Sequence, residues 1–319
     1  MDHSEGKELA PAAQDGGALE LRREVDELVE RFLVEADIAE STQEGYRKAL
    51  RQFFRWRESD GAGDLTRADI VRYKQEQLSR LQPGTVGSYI SALKSFFRWL
   101  ESEKLYPNVA AGVKGTKASR GHKKDALTPA QVAHILQVLK GDGIAAMRDF
   151  AIVNLLIRTG LRTIELARAD VGDIRAKGGR TVLYVHGKGR QSKDEFVVLT
   201  DAAVRPIYSY LALRESRGKD EPLFASLSNK SYGKRLTTRS VRRIAKNALL
   251  KAGFDDSRLT AHSMRHTAVT MALMGGASLQ QAQAMARHGN INTTMVYVHG
   301  LERVSNAAEL AIDDLLGDI

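Results

Sequence analysis

The sequence contains no cysteine, so neither a disulfide nor a thiolate metal site can contribute to its fold or chemistry. It has no uninterrupted apolar run long enough to cross a bilayer. Its first residues, MDHSEGKE, lack the basic-then-apolar order of a secretory leader. These absences lead to the expectation of a cytoplasmic protein with no membrane partner. What is present is a chain of 319 residues, long enough for two ordinary domains. Its charge is unevenly placed. Residues 1–40 hold four Lys/Arg against twelve Asp/Glu, and the remainder holds forty-four against twenty-seven, a net of +17. A basic body of that size suits a polyanion, with nucleic acid as the default candidate and general solubility as the alternative.

Residues 1–18 are small, polar and acidic, the composition of a disordered tail. Residues 19–112 read as a helical domain. Ser41 with Glu44 makes a capping box for STQEGYRKALRQFFRWRES, in which Tyr46, Leu50, Phe53 and Phe54 recur at helical spacing. Thr66 is placed to cap LTRADIVRYKQEQLSR. Thr85 is placed to cap TVGSYISALKSFFRWLESE, where Val86, Ile90, Leu93, Phe97 and Leu100 share one face. Residues 113–126 read as a linker. Lys114, Lys117, Arg120, Lys123 and Lys124 lie there without an acidic neighbour over 114–124, and no apolar stripe accompanies them. Such a segment is a solvated hinge, a strap along a phosphate backbone, or both.

A second domain is expected over 127–305. Leu127, Thr128, Pro129 and Gln131 supply in turn a staple, a cap, an N1 proline and a capping-box partner. MRDFAIVNLLIRTG reads as a buried helix closed by Gly160, and 181–186 with 195–200 as two strands of a hairpin. Segment 306–319 carries Ala308, Leu310, Ile312, Leu315 and Leu316 as an apolar stripe on a short acidic helix, which packs on its own domain or docks on a neighbouring copy. The expected fold class is mainly α with a small antiparallel β-sheet.

Five places could carry chemistry. Arg162 opens a helix between Leu161 and Ile164, and a partly buried guanidinium there needs an anion: Glu165 one turn on, or a phosphate with Glu165 orienting the arginine. Lys188 lies between two glycines in the hairpin turn, a solvated lysine or one close to a ligand, with Arg190 nearby. His262 and His266 have the spacing of two zinc ligands, but no glutamate supplies a hydrolytic base and Arg265 between them would repel a cation. His262 and Arg265 instead suit an anion, since both donate to phosphate. His288 precedes a short apolar turn bearing Tyr297, which is one tyrosine of nine. Arg239, Arg242, Arg243 and Lys246 form a basic stripe opposite Val241, Ile244 and Ala248, either a solvated helix face or one lying beside a DNA groove.

Taken in order, Arg162, Lys188, His262, Arg265, His288 and Tyr297 resemble the signature of the tyrosine recombinase (phage integrase) family, which includes the Xer recombinases. The nine-position step from His288 to Tyr297 and the flank TTMVYVH carry the likeness, which covers roughly residues 20–315. One departure is Ala286-Arg287-His288, where many members have Leu-Gly-His. The resemblance implies a helical, SAM-like core-binding domain and a catalytic domain that together clamp DNA in a C shape. It implies that Tyr297 is a nucleophile forming a 3′-phosphotyrosyl link. Arg162, Arg265 and His288 would stabilise the phosphate, His262 would accept a proton and Lys188 would act as general acid. No metal, cofactor or ATP is then needed. The implied partner is double-stranded DNA with paired recombination sites, bound by a homotetramer with a dimer on each site that exchanges strands through a Holliday junction, with a paralogous recombinase or accessory factor as a further candidate and a nucleoid-associated location. Two rival readings share the basic body: a non-catalytic DNA-binding accessory protein and a type IB topoisomerase-like enzyme.

Overall fold

Helices of the N-terminal unit form where apolar residues recur every three or four positions. The computed structural model describes residues 15–60, 64–116, 125–186, 192–305 and 308–316, and the chain divides after residue 120 into two compact units. Helix α1 (Asp15–Glu35) begins four residues earlier than expected and turns Val29, Phe32 and Leu33 inward. Helix α2 (Glu40–Asp60) buries Ala49, Leu50 and Phe53. It starts before Ser41, so Ser41 is not its cap; the amides of Thr42 and Gln43 are taken up by the Ala39 carbonyl at 2.7 and 3.0 Å. Helix α3 (Arg67–Arg80) starts after Thr66 as expected, with Asp69 Oδ2 accepting from the Thr66 amide and hydroxyl, each at 2.8 Å. Helix α4 (Pro83–Ser102) begins two residues before Thr85. Proline at its first position explains this, because its fixed φ and missing amide suit N1.

The five-residue stripe of α4 is buried throughout. Phe53 meets Tyr73 and Phe97 edge-on, with centroids 5.1 and 6.4 Å apart. The packed chain also runs past residue 112. Val113 is buried in this core, Lys74 Nζ donates to the Lys114 carbonyl at 2.7 Å, and the Thr116 hydroxyl donates to the Pro83 carbonyl. Gly87 makes room for this return, since a Cβ there would lie 2.6 Å from Thr116 Oγ1. Lys114 is exposed, while Lys117, Arg120, Lys123 and Lys124 lie outside the described residues.

In the second unit, the Thr128 hydroxyl caps α5 (Pro129–Val138) by accepting from the Gln131 amide, and the Thr128 amide donates in return to Gln131 Oε1 at 2.9 Å. Helix α6 (Ile144–Thr159) is buried around its whole circumference over Ala151–Ile157 and packs on the later helices α8 (Asp201–Ala212), α9 (Thr238–Lys251) and α10 (Ala261–Met274). Gly160 ends it at φ 61°, the left-handed conformation that glycine adopts without strain. Between α7 (Thr163–Arg168) and α8 lies an antiparallel sheet of β1 (Ile174–Lys177), β2 (Arg180–Val185) and β3 (Glu195–Val198). The expected hairpin is β2–β3, with Val182 opposite Val198. Strand β1 is an addition. IRAK is mostly exposed and has no apolar alternation to mark it.

Helix α9 buries Val241, Ile244 and Ala248 and exposes Arg239, Arg242 and Arg243. Lys246 differs from the rest of that stripe: it is half-buried, with Nζ 2.9 Å from the Asp256 carbonyl and 3.6 Å from Asp255. Helices α11 (Leu279–Ala286), α12 (Asn292–Ser305) and α13 (Ala308–Leu316) complete the unit. The apolar residues Leu310, Ile312, Leu315 and Leu316 of α13 are all exposed, Leu315 at 87%. Among the described residues no helix is long and apolar enough to cross a membrane.

Candidate active site

Three chain segments converge in the second unit: the α6–α7 junction, the first half of α10 and the α11–α12 turn. Arg162 is the residue before α7, where the chain is still extended. Its backbone amide donates to Glu165 Oε2 at 2.8 Å and its Nη1 to Glu165 Oε1 at 2.6 Å, closing the first turn. Its Nη2 reaches the Arg287 carbonyl at 3.0 Å. Glu165 therefore partners Arg162 as the spacing allowed, and a second arginine shares it. Arg287 Nη2 lies 2.6 Å from Glu165 Oε2, and the carboxylate is 1% exposed. Burial would raise the Glu165 pKa, but the Arg287 charge and hydrogen bonds from both arginines outweigh it and hold the group below the usual carboxylate value.

Arg265 is buried on α10, with its fork spread between the Gly160 and Ala286 carbonyls. Burial, together with the charges of Arg162 and Arg287, lowers the Arg265 pKa to about 10, leaving a cation at neutral pH. His288 Nδ1 pairs with the buried Thr294 hydroxyl at 2.9 Å. Burial and the three arginine charges push the His288 pKa down to about 4, so its ring is neutral at pH 7. Tyr297 is buried on α12, and that burial raises its phenol pKa against the opposing charge of Arg265. Its ring lies 4.6 Å from that of His266 and 6.3 Å from that of His288, centroid to centroid.

The structure thus brings Arg162, Glu165, Arg265, His288 and Tyr297 together. His262 is exposed on the first turn of α10, and its charge also depresses His288. Lys188 and Arg190 lie outside the described residues. Sequence reasoning missed the parts played by Arg287, His266 and Thr294. His266 was weighed only as a zinc partner of His262, whereas it packs on Tyr297. Arg287 was legible as an odd residue before His288, but its buried pairing with Glu165 was not. Chemically, cations around a neutral phenol suit an anionic electrophile and a nucleophile that must lose its proton.

Comparison with known proteins agrees. The phage integrase family pattern matches residues 125–303, and the phage integrase N-terminal SAM-like domain matches residues 26–106. A tyrosine recombinase of Synechocystis is 26% identical over 297 residues, covering 88% of this chain and 91% of that one. The tyrosine recombinase XerC of Corynebacterium glutamicum is 37% identical over 154 residues, about half of each chain (48% and 47%). Among solved structures, the XerH site-specific recombinase in a post-cleavage complex with a palindromic difH substrate superposes with a TM-score of 0.69 at 18% identity, over 84% of this chain and 80% of that one. The Tn1549 transposon integrase with circular-intermediate DNA superposes with a TM-score of 0.68 at 17% identity, over 86% and 94%. Fold and relatives define a tyrosine-type site-specific DNA recombinase. The chain belongs to the phage integrase family.

Proposed function

We propose that Tyr297 attacks a DNA phosphodiester, forming a 3′-phosphotyrosyl bond and releasing a 5′-hydroxyl; reversal by another strand's 5′-hydroxyl rejoins the DNA. Bond energy is kept through the exchange. The observation that carries this reading is the convergence of Arg162, Arg265 and His288 around a buried, protonated tyrosine. Charge that develops on the non-bridging oxygens is met by N–H donors of the two arginines, which bind phosphate in two-point geometry. The neutral His288 ring adds a hydrogen bond there. A phenol with a raised pKa must give up its proton as it attacks, and His262 is the proposed acceptor. Lys188 is the proposed donor to the leaving oxygen.

Double-stranded DNA is the substrate. The exposed arginines of α9 and Lys114 are the proposed phosphate contacts, joined by the basic residues of 117–124. Four protomers act on two sites and resolve a Holliday junction. The exposed apolar side of α13 supports its docking on a neighbouring protomer.

The test uses a duplex nicked beside its cleavage site, so that rejoining is blocked. The site itself is found by sequencing DNA covalently trapped by the protein. Wild type accumulates a protein–DNA adduct, Tyr297→Phe forms none, and Arg162→Ala or Arg265→Ala slows adduct formation about 10²- to 10³-fold while DNA is still bound. An adduct in Tyr297→Phe, or wild-type rates in either arginine variant, removes this assignment.

A further inference from the structure

The turn that follows α11 is built unlike an ordinary helix end. Arg287 adopts φ 53°, in the left-handed region that residues with a Cβ disfavour. Its side chain is nonetheless 4% exposed. Nη2 donates to Glu165 Oε2 and Nη1 to the Met285 carbonyl, each at 2.6 Å. Nε stands 3.5 Å from Glu165 Oε1 and 4.0 Å from Glu195 Oε2 on β3. Three successive carbonyls of this turn each receive a different guanidinium: Met285 that of Arg287, Ala286 that of Arg265, and Arg287 that of Arg162. A buried charge at a strained backbone position needs strong local compensation, and here that compensation is Glu165.

The consequence for Arg162 is geometric. A buried carboxylate prefers to take one guanidinium by two parallel bonds. In this site Oε2 of Glu165 takes both Arg287 Nη2 and the Arg162 backbone amide, so the Arg162 guanidinium meets the carboxylate through Nη1 at Oε1 and keeps Nη2 for the turn. We infer that Arg287 is a positioning residue for strand transfer: by occupying Glu165 and ordering the 285–287 carbonyls, it aims the Arg162 and Arg265 forks at the reacting phosphate. Without it, Glu165 draws Arg162 into a two-point pair and away from that phosphate. This rests on the assignment of Arg162 and Arg265 to phosphate binding.

The test compares Arg287→Gly and Arg287→Lys with wild type and Tyr297→Phe on the nicked duplex. Glycine suits the turn's φ, so the first variant removes the side chain without straining the backbone; circular dichroism verifies its fold. Single-turnover adduct formation should fall about 10- to 100-fold in Arg287→Gly, with DNA affinity within about twofold of wild type, because the Arg287 side chain is 4% exposed and its guanidinium is taken up by Glu165 and the Met285 carbonyl. Arg287→Lys, which keeps the charge but not the fork, should fall between the two. Guanidinium ion at tens of millimolar should recover most of the rate lost by Arg287→Gly and leave wild type unaccelerated. Wild-type cleavage by Arg287→Gly, or a lost rate that guanidinium does not restore, overturns the inference. An adduct formed by Tyr297→Phe overturns the underlying site assignment instead.

Discussion

His288 and Arg287 are held by neighbours that could not be read from their own motif. His288 is tied to Thr294 six positions later, and burial beside three guanidinium groups keeps its ring neutral. The sign of the resulting pH dependence follows. An imidazole in the unfolded chain takes a proton near pH 6.5, whereas the folded one does so only near 4. Between those values the unfolded chain binds the extra proton, so this contribution to stability is complete above about pH 6.5 and is lost as pH falls toward 4. Urea denaturation at pH 7 and pH 5 should therefore show wild type losing more stability on acidification than His288→Asn, by on the order of 1 kcal/mol given the partial exposure of the group. Equal losses in the two proteins would contradict the buried neutral ring. Arg162 and Glu165, three positions apart, were legible as a pair because a helix start brings such residues together. Arg287 was not, because its partner lies 122 residues away in the chain.

Individual elements show where local patterning suffices. The capping box at Thr128, the Gly160 stop and the buried stripe of α4 all follow from neighbours within one or two turns. Helix starts at Ser41 and Thr85 were misplaced because nearby alternatives, the Ala39 carbonyl and Pro83, satisfied the same requirement one or two residues earlier. Helix α9 carries the clearest prediction at this scale. Its apolar side is buried and Arg239, Arg242 and Arg243 face solvent, while Lys246 is engaged with Asp255 and Asp256. Each phosphate contact contributes roughly 0.9 to the slope of log affinity against log salt. Replacing the three arginines by alanine should lower that slope by about 2 to 3 units in fluorescence-anisotropy titrations, whereas Lys246→Ala should change it little. An unchanged slope in the triple variant would show that this face does not lie on DNA.

For the whole molecule, the informative surfaces are the basic body and the exposed apolar side of α13. Exposed apolar side chains on one helix face mark an interaction surface; Ile312, Leu315 and Leu316 share a face of α13 and, with Leu310, are more than half exposed. Deleting residues 306–319 should spare binding of one protomer to one DNA site and weaken assembly of the complex containing two sites, as resolved by gel-shift and light scattering. Unimpaired assembly would assign the helix some other role. Arg239, Arg242 and Arg243 act at a distance from this surface in chain order, so the two perturbations are expected to separate: one changes salt dependence, the other stoichiometry.

The amino-acid sequence by itself determined the helices, the hairpin and the order of Arg162, His262, Arg265, His288 and Tyr297, because periodicity, caps and motif spacing are properties of neighbouring residues. Tertiary structure alone decided that His266 packs on Tyr297, that β1 joins the sheet, and that one turn serves three arginines. The first two arise from packing and pairing that no apolar alternation marks, and the last depends on buried charges that find partners more than a hundred residues away, Arg162 at the Arg287 carbonyl and Arg287 at Glu165, a pairing no local pattern encodes.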